Sequence, residues 1–175
     1  MARKNSNDTG PGQGDDAAAR RAPMRDFSRS LPMSLLRARE AVMRQFRPSL
    51  RNHGLTEQQW RILRALTAVD EIEVTELARM AFLLGPSLSR ILRDLEGRQL
   101  IERKAAENDA RRAVVSISAK GLKLIEAVAP TSETIYAEIT RRFGARKLAE
   151  LQEMLGALEG SLAAMGSADD VEVEE

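Results

Sequence analysis

The chain has no cysteine among its 175 residues, which excludes disulfides, a thiol nucleophile and a thiol redox switch. Its one histidine leaves too few nitrogen and sulfur donors for a structural zinc site. No run of about 18 or more apolar residues occurs, as a membrane-spanning helix requires. The opening MARKNSNDTG also lacks the apolar stretch of a secretory signal, so the expected location is the cytoplasm, with no membrane partner. A G-x-S-x-G elbow, a glycine-rich phosphate loop and a metal-spaced cluster are all missing. The expectation is therefore no catalytic residue, no metal, no cofactor and no enzyme activity. There is no internal repeat of about 20 to 50 residues, and no excess charge of one sign. The formal net charge is +1, which argues neither for nor against nucleic acid as a partner.

What is present is enough apolar material, 43% of residues, to bury one core of about 100 to 150 residues. The charge is segregated along the chain. Nine arginines stand between Arg20 and Arg51 against Asp26 and Glu40, whereas the end, DDVEVEE, holds five acids and no base. Residues 1–27, rich in Gly, Pro, Asn, Ser and Asp, offer too little apolar surface to offset the entropy of ordering. They read as a disordered arm before one domain at 28–165, and 166–175 as a disordered acidic tail.

Within the domain, Leu35, Ala38, Val42 and Phe46 recur at helical spacing until Pro48 weakens or ends the pattern. Asn52-His53-Gly54 is a turn, and Thr56 with Gln59 makes a capping box before a helix that gathers Trp60, Leu63 and Leu66. Val74, Leu77, Ala78, Ala81 and Phe82 form the stripe of a short helix that Thr75 caps. After Leu84-Gly85-Pro86, the residues Leu88, Ile91, Leu92 and Leu95 repeat the stripe up to Gly97. The period then becomes extended: Leu100 to Lys104 and Ala113 to Ser118 are short strands joined by the polar loop AAENDARR. Ser118 caps a further helix with Leu122, Ile125 and Ala129 on one face, which Pro130 kinks or interrupts. Gly144 ends that segment. Leu148, Leu151, Leu155, Leu158, Leu162 and Met165 then alternate intervals of three and four, a seam that must pack on another helix, in the same chain or in a second copy.

The fold class is mainly α with a short β-hairpin (α+β). Two short helices joined by a tight turn and followed directly by a hairpin describe a winged helix-turn-helix. The outer face of the 86–97 helix carries Ser87, Ser89, Arg90, Arg93 and Asp94, side chains that can reach base edges and phosphates in a major groove. The hairpin adds Lys104, Asn108, Asp109, Arg111 and Arg112, a cationic projection able to follow the backbone or enter a minor groove. Seven bases against five acids over 85–112 is a slight excess, so placement rather than bulk charge carries the inference.

The stretch ENDARRAVVSISAKG resembles the wing signature of the MarR family: Asp109 and Arg111 at the tip, then Ser118, Lys120 and Gly121. LTEQQWRILRAL and LGPSLSRILRDLEGRQLIER fit the same pattern, and the resemblance spans roughly residues 30 to 163. The segments LLRAREAV, FRPSL and LTEQQWRI are similar to the subgroup of the homoprotocatechuate degradation operon repressor. The resemblance implies a homodimeric repressor of an aromatic-acid catabolic operon. Its DNA-binding lobe would span about 55–118, its long dimerisation helices about 31–51 and 119–165, and its operator would be pseudo-palindromic double-stranded DNA. It also implies that Arg111 enters the minor groove while Asp109 orients it, and that a small aromatic carboxylate releases the protein from DNA. A regulator of drug efflux or stress with another ligand is the alternative.

A carboxylate needs donors and its ring needs a wall. The candidates are Ser34, Arg37 and Arg39 on the first helix, His53 in the turn, and Trp60 and Arg64 on the second. Each has a plainer reading: Trp60 as core packing, the arginines as surface charges, His53 as a turn residue. Arg39 is the favoured donor.

Overall fold

The computed structural model describes residues 26–106 and 109–169, and for Ala106, 109–111 and 164–169 the backbone alone. The expected arm therefore lies outside the described residues up to 25. Its last two residues do not fit that description, because Asp26 caps a single 3-10 turn, Phe27–Arg29, through a 2.7 Å bond from the Ser28 N–H. The chain divides into two compact units, 1–42 and 43–175, at a point inside one continuous helix, α1 (Leu31–Asn52).

In the second unit, α1 runs straight through Pro48. Of the two outcomes expected at Pro48, weakening or ending the pattern, the second does not occur: the proline removes one amide donor, but the apolar face continues to Leu50, which is fully buried. Helix α2 (Glu57–Leu66) starts at the capping box, in which the Thr56 hydroxyl accepts from the Gln59 N–H while the Gln59 side chain accepts from the Thr56 N–H. Ile62, Leu63 and Leu66 on this helix have no exposed surface, and burial of each contributes about 1.5–3 kcal/mol.

A two-residue strand, β1 (Ile72–Glu73), precedes α3 (Val74–Met80). The sequence reading missed it. Glu73, not Thr75, is the residue at the N-cap, and no side chain caps the helix. Phe82 is not part of the core stripe. The helix has ended by then, Phe82 takes a left-handed conformation with φ 50°, and its side chain is 77% exposed. Leaving the helical progression points position 82 outward, and Leu83 packs against the core in its stead. Helix α4 (Gly85–Gly97) buries Leu88, Ile91, Leu92 and Leu95, as its spacing predicts.

The hairpin is longer than expected: β2 (Ile101–Ala106) and β3 (Asp109–Ile117) take in most of the polar loop. The three strands are antiparallel in the order β1-β3-β2. Main-chain pairing extends the ladder where side-chain polarity alone suggests loop. The register breaks between Ala105↔Ala113 and Ala106↔Asp109, so 110–112 form an irregularity on β3.

Ser118 caps α5 (Ala119–Phe143), accepting from the Gly121 N–H at 3.0 Å. This is one helix, not two: Pro130 lies inside it without ending it, and the Thr134 hydroxyl donates to the Pro130 carbonyl at 3.0 Å. Its buried face is Gly121, Ile125, Val128 and Ser132, rotated from the expected one, so Leu122 is exposed. Gly144, at φ 97°, makes the turn into α6 (Ala145–Asp169), which runs past 165 into the stretch read as tail.

Candidate nucleic-acid interface

The four buried residues of α4 fix which face it shows. Ser89, Arg90 and Arg93 are exposed, and Ser87 is half-buried. Among the described residues, Arg90 and Arg93 have no hydrogen-bond or ion-pair partner, so two guanidinium forks project from this helix unoccupied. Asp94, on the same side, is tied back: the Gln59 amide donates to it at 2.7 Å and Arg98 stands 3.5 Å away.

The C-terminal end of α4 is clamped to α5. The Lys120 ammonium donates to the Arg98 carbonyl at 2.8 Å. The Ser118 hydroxyl donates to the Gln99 carbonyl at 2.7 Å while accepting from Gly121, and Gln99 is itself left-handed, with φ 61°. Ser118, Lys120 and Gly121, singled out in the sequence as part of a signature, therefore position α4 rather than reach outward.

The wing cations are differently placed. Lys104 pairs with Glu71 at 2.7 Å, Arg112 pairs with Glu73, and Arg103 lies 3.5 Å from Glu96. Glu71 precedes β1 and Glu73 lies in it, and neither was read from the sequence as part of the site. The alternation Glu71-Ile72-Glu73-Val74 was the available signal, a period of two. Asn108 lies outside the described residues, and Asp109 and Arg111 are described as backbone in β3.

Of the ligand candidates, Ser34, Arg37 and Arg39 belong to the first unit, where Arg37 reaches Ser34 at 3.4 Å and Arg39 pairs with Glu40 at 2.9 Å. In the second unit, the Arg64 guanidinium lies over the Trp60 ring, 6.0 Å from its centroid, and Trp60 is half-buried against the core. His53 lines a cavity with Arg98 and Lys120.

Residues 53–112 match the sequence pattern of the MarR family. The chain is 39% identical over 126 residues to the homoprotocatechuate degradative operon repressor of Escherichia coli, covering 72% of this chain and 85% of that protein. Among solved structures, the transcriptional regulator PA4135 is 44% identical with a TM-score of 0.73, covering 75% of this chain and 96% of the other. NadR, solved in complex with 4-hydroxyphenylacetate, is 36% identical with a TM-score of 0.68, covering 78% and 97%. Two exposed arginines on a turn-linked helix beside a basic hairpin, and relatives of this identity along most of their length, lead to one assignment: the chain belongs to the MarR family of winged-helix transcriptional regulators.

Proposed function

We propose that the protein is a homodimeric cytoplasmic repressor of an operon for breaking down an aromatic acid, released from DNA by a small aromatic carboxylate. Ser87, Ser89, Arg90 and Arg93 read an operator major groove. Lys104, Asn108, Asp109, Arg111 and Arg112 form the wing that follows the adjacent backbone and minor groove. The observation that carries the DNA reading is the pair of unoccupied guanidiniums on α4, since an Arg fork free of protein partners is available for bidentate bonds to guanine or phosphate.

The ligand reading rests on Trp60 and Arg64. A guanidinium over an indole is preorganised by cation–π attraction, and together the two offer a ring wall beside a fork for a carboxylate. The similarity to a protein solved with 4-hydroxyphenylacetate and to a homoprotocatechuate operon repressor supports an acid of this type. Arg39, Arg37 and Ser34 are the alternative donors.

Calorimetry with 4-hydroxyphenylacetate, with and without operator, tests the reading. Arg64→Ala should keep operator binding and lose ligand release, because only the differential affinity between the two states is removed. Full release in Arg64→Ala but none in Arg39→Ala would move the anion site to the first helix. No binding of any aromatic acid would reject the effector reading and leave the DNA reading standing.

A further inference from the structure

At the joint between the α1–α2 turn, the end of α4 and the start of α5, a cavity of about 380 Å³ opens to solvent. Its lining is His53, Arg98, Leu100, Lys120 and Leu124: three bases, two leucines and no acid. The Arg98 and Lys120 charges stand over an apolar floor, and their summed field attracts an anion.

Arg98 and Lys120 have donor capacity left over. The His53 Nδ1–H donates to the Ser49 carbonyl at 2.8 Å, which fixes the ring as one wall of the cavity, and Nε2 can donate only when the ring is protonated. Lys120 spends one of its three N–H bonds on the Arg98 carbonyl. Arg98 has one ion-pair contact, NH1 to Asp94 at 3.5 Å. Its NH2 faces the turn, where a Cβ on Gly54 would stand 3.6 Å from it. Leu100 is buried and Leu124 half-buried, so an apolar body lying on them is removed from water while its charged group meets the bases.

We propose that this cavity binds a small organic carboxylate with an apolar body, at a site separate from Trp60 and Arg64. Occupancy bridges Arg98, which caps the C-terminus of α4, to Lys120 in the first turn of α5. It therefore bears on the joint that positions the DNA-reading helix.

The test is a titration of the full isotope-labelled chain, followed by amide chemical shifts, with benzoate and, separately, with inorganic phosphate. Benzoate should give saturable shifts at 53–54, 98–100 and 120–124, at lower concentration than phosphate because only benzoate covers the leucines. Arg98→Gln, which does not touch the Ser118 cap, should weaken binding about tenfold, the loss of one charge-assisted hydrogen bond. Arg64→Ala should leave them unchanged. Shifts that vanish in Arg64→Ala would be transmitted from the proposed effector site and would overturn this one. Phosphate binding as tightly as benzoate would overturn the organic class, and no saturable shift with either anion would overturn the site.

Discussion

Gly121 in the first turn of α5 lies so close to Leu100 that a Cβ at 121 would stand 2.2 Å from the Leu100 carbonyl oxygen and 2.8 Å from the Ile117 side chain. The obstacle at Leu100 is backbone, which cannot swing aside as a side-chain tip can. With the Lys120–Arg98 and Ser118–Gln99 bonds, this contact locks the end of α4 to α5. Gly121→Ala should destabilise the protein by about 3 kcal/mol, the upper range for overpacking, lowering Tm by about 6–12 °C. Operator affinity should fall with it because α4 must shift. Thermal melts and binding isotherms check both, and an unchanged Tm would mean that the helices are not packed this closely.

The capping box, the α4 stripe, the Ser118 cap and the Gly144 turn are legible in the sequence because each rests on residues within one turn of each other. Other features depend on tertiary partners. Nothing local says that Pro48 and Pro130 sit in continuous helices, since neighbouring packing decides whether one lost amide bond ends a helix. Phe82 shares the α3 period but not its helix, and its exposure follows from one backbone dihedral. β1 is two residues long and exists only by pairing with β3. In the candidate site, Arg90 and Arg93 follow from helical spacing. The carboxylates that hold the wing cations lie at and beside β1, some 30 to 40 residues distant, and a period of two can mark a strand there but not its partners.

If Lys104 and Arg112 contact DNA as proposed, Glu71 and Glu73, which pair with them, compete with it. An exposed ion pair is worth about 0.2–1 kcal/mol, and the protein gives it up when the cation turns to a phosphate. Replacing both glutamates by glutamine should raise affinity for random duplex DNA about fivefold at low salt. Weaker binding by the double variant would show that the pairs hold the wing in its binding geometry instead.

Major-groove and wing contacts should separate in their salt and sequence dependence. Arg90→Ala should change which operator is preferred, at about 1–3 kcal/mol for a lost bidentate base contact. Arg111→Ala, from the wing signature, should weaken binding to all sequences and shallow the plot of log K against log salt by about one unit. Competition with mutated operators and a salt titration distinguish them. Equal losses on every sequence for Arg90→Ala would make it a phosphate contact.

The bonds from Arg141 and then Arg142 hold the Glu138 carboxyl at about 2, against an ordinary 4.5. A carboxylate with a depressed folded-state pKa stabilises the fold above its unfolded pKa and loses that contribution as pH falls. The loss here therefore runs from about pH 4.5 down to about 2. Glu138 is partly exposed, so salt should shrink the effect. Glu138→Gln should flatten the acid limb of stability against pH in that window and leave the neutral range less stable. An unchanged acid limb would mean that this triad is not populated in solution.

Among the described residues, much of the α6 seam is exposed. Leu151, Leu155 and Leu162 lie at intervals of four and seven, and Leu155 is 41% and Leu162 51% exposed. On α5, Tyr136 and Phe143 are about half exposed as well. So much apolar surface on two long helices favours burial against a second copy, at about 25 cal/mol for each Å² removed from water. A dimer held this way has dissociation coupled to unfolding, so its Tm should rise with protein concentration. Leu155→Asp places a charge within the packed seam, where it has no partner and its desolvation is uncompensated. The variant should sediment as a monomer or aggregate and lose operator affinity, because a single recognition helix forfeits the second half-site. Sedimentation velocity and binding to full and half operators measure both effects. A folded Leu155→Asp monomer that binds the full operator as tightly as the original would remove the seam from the dimer.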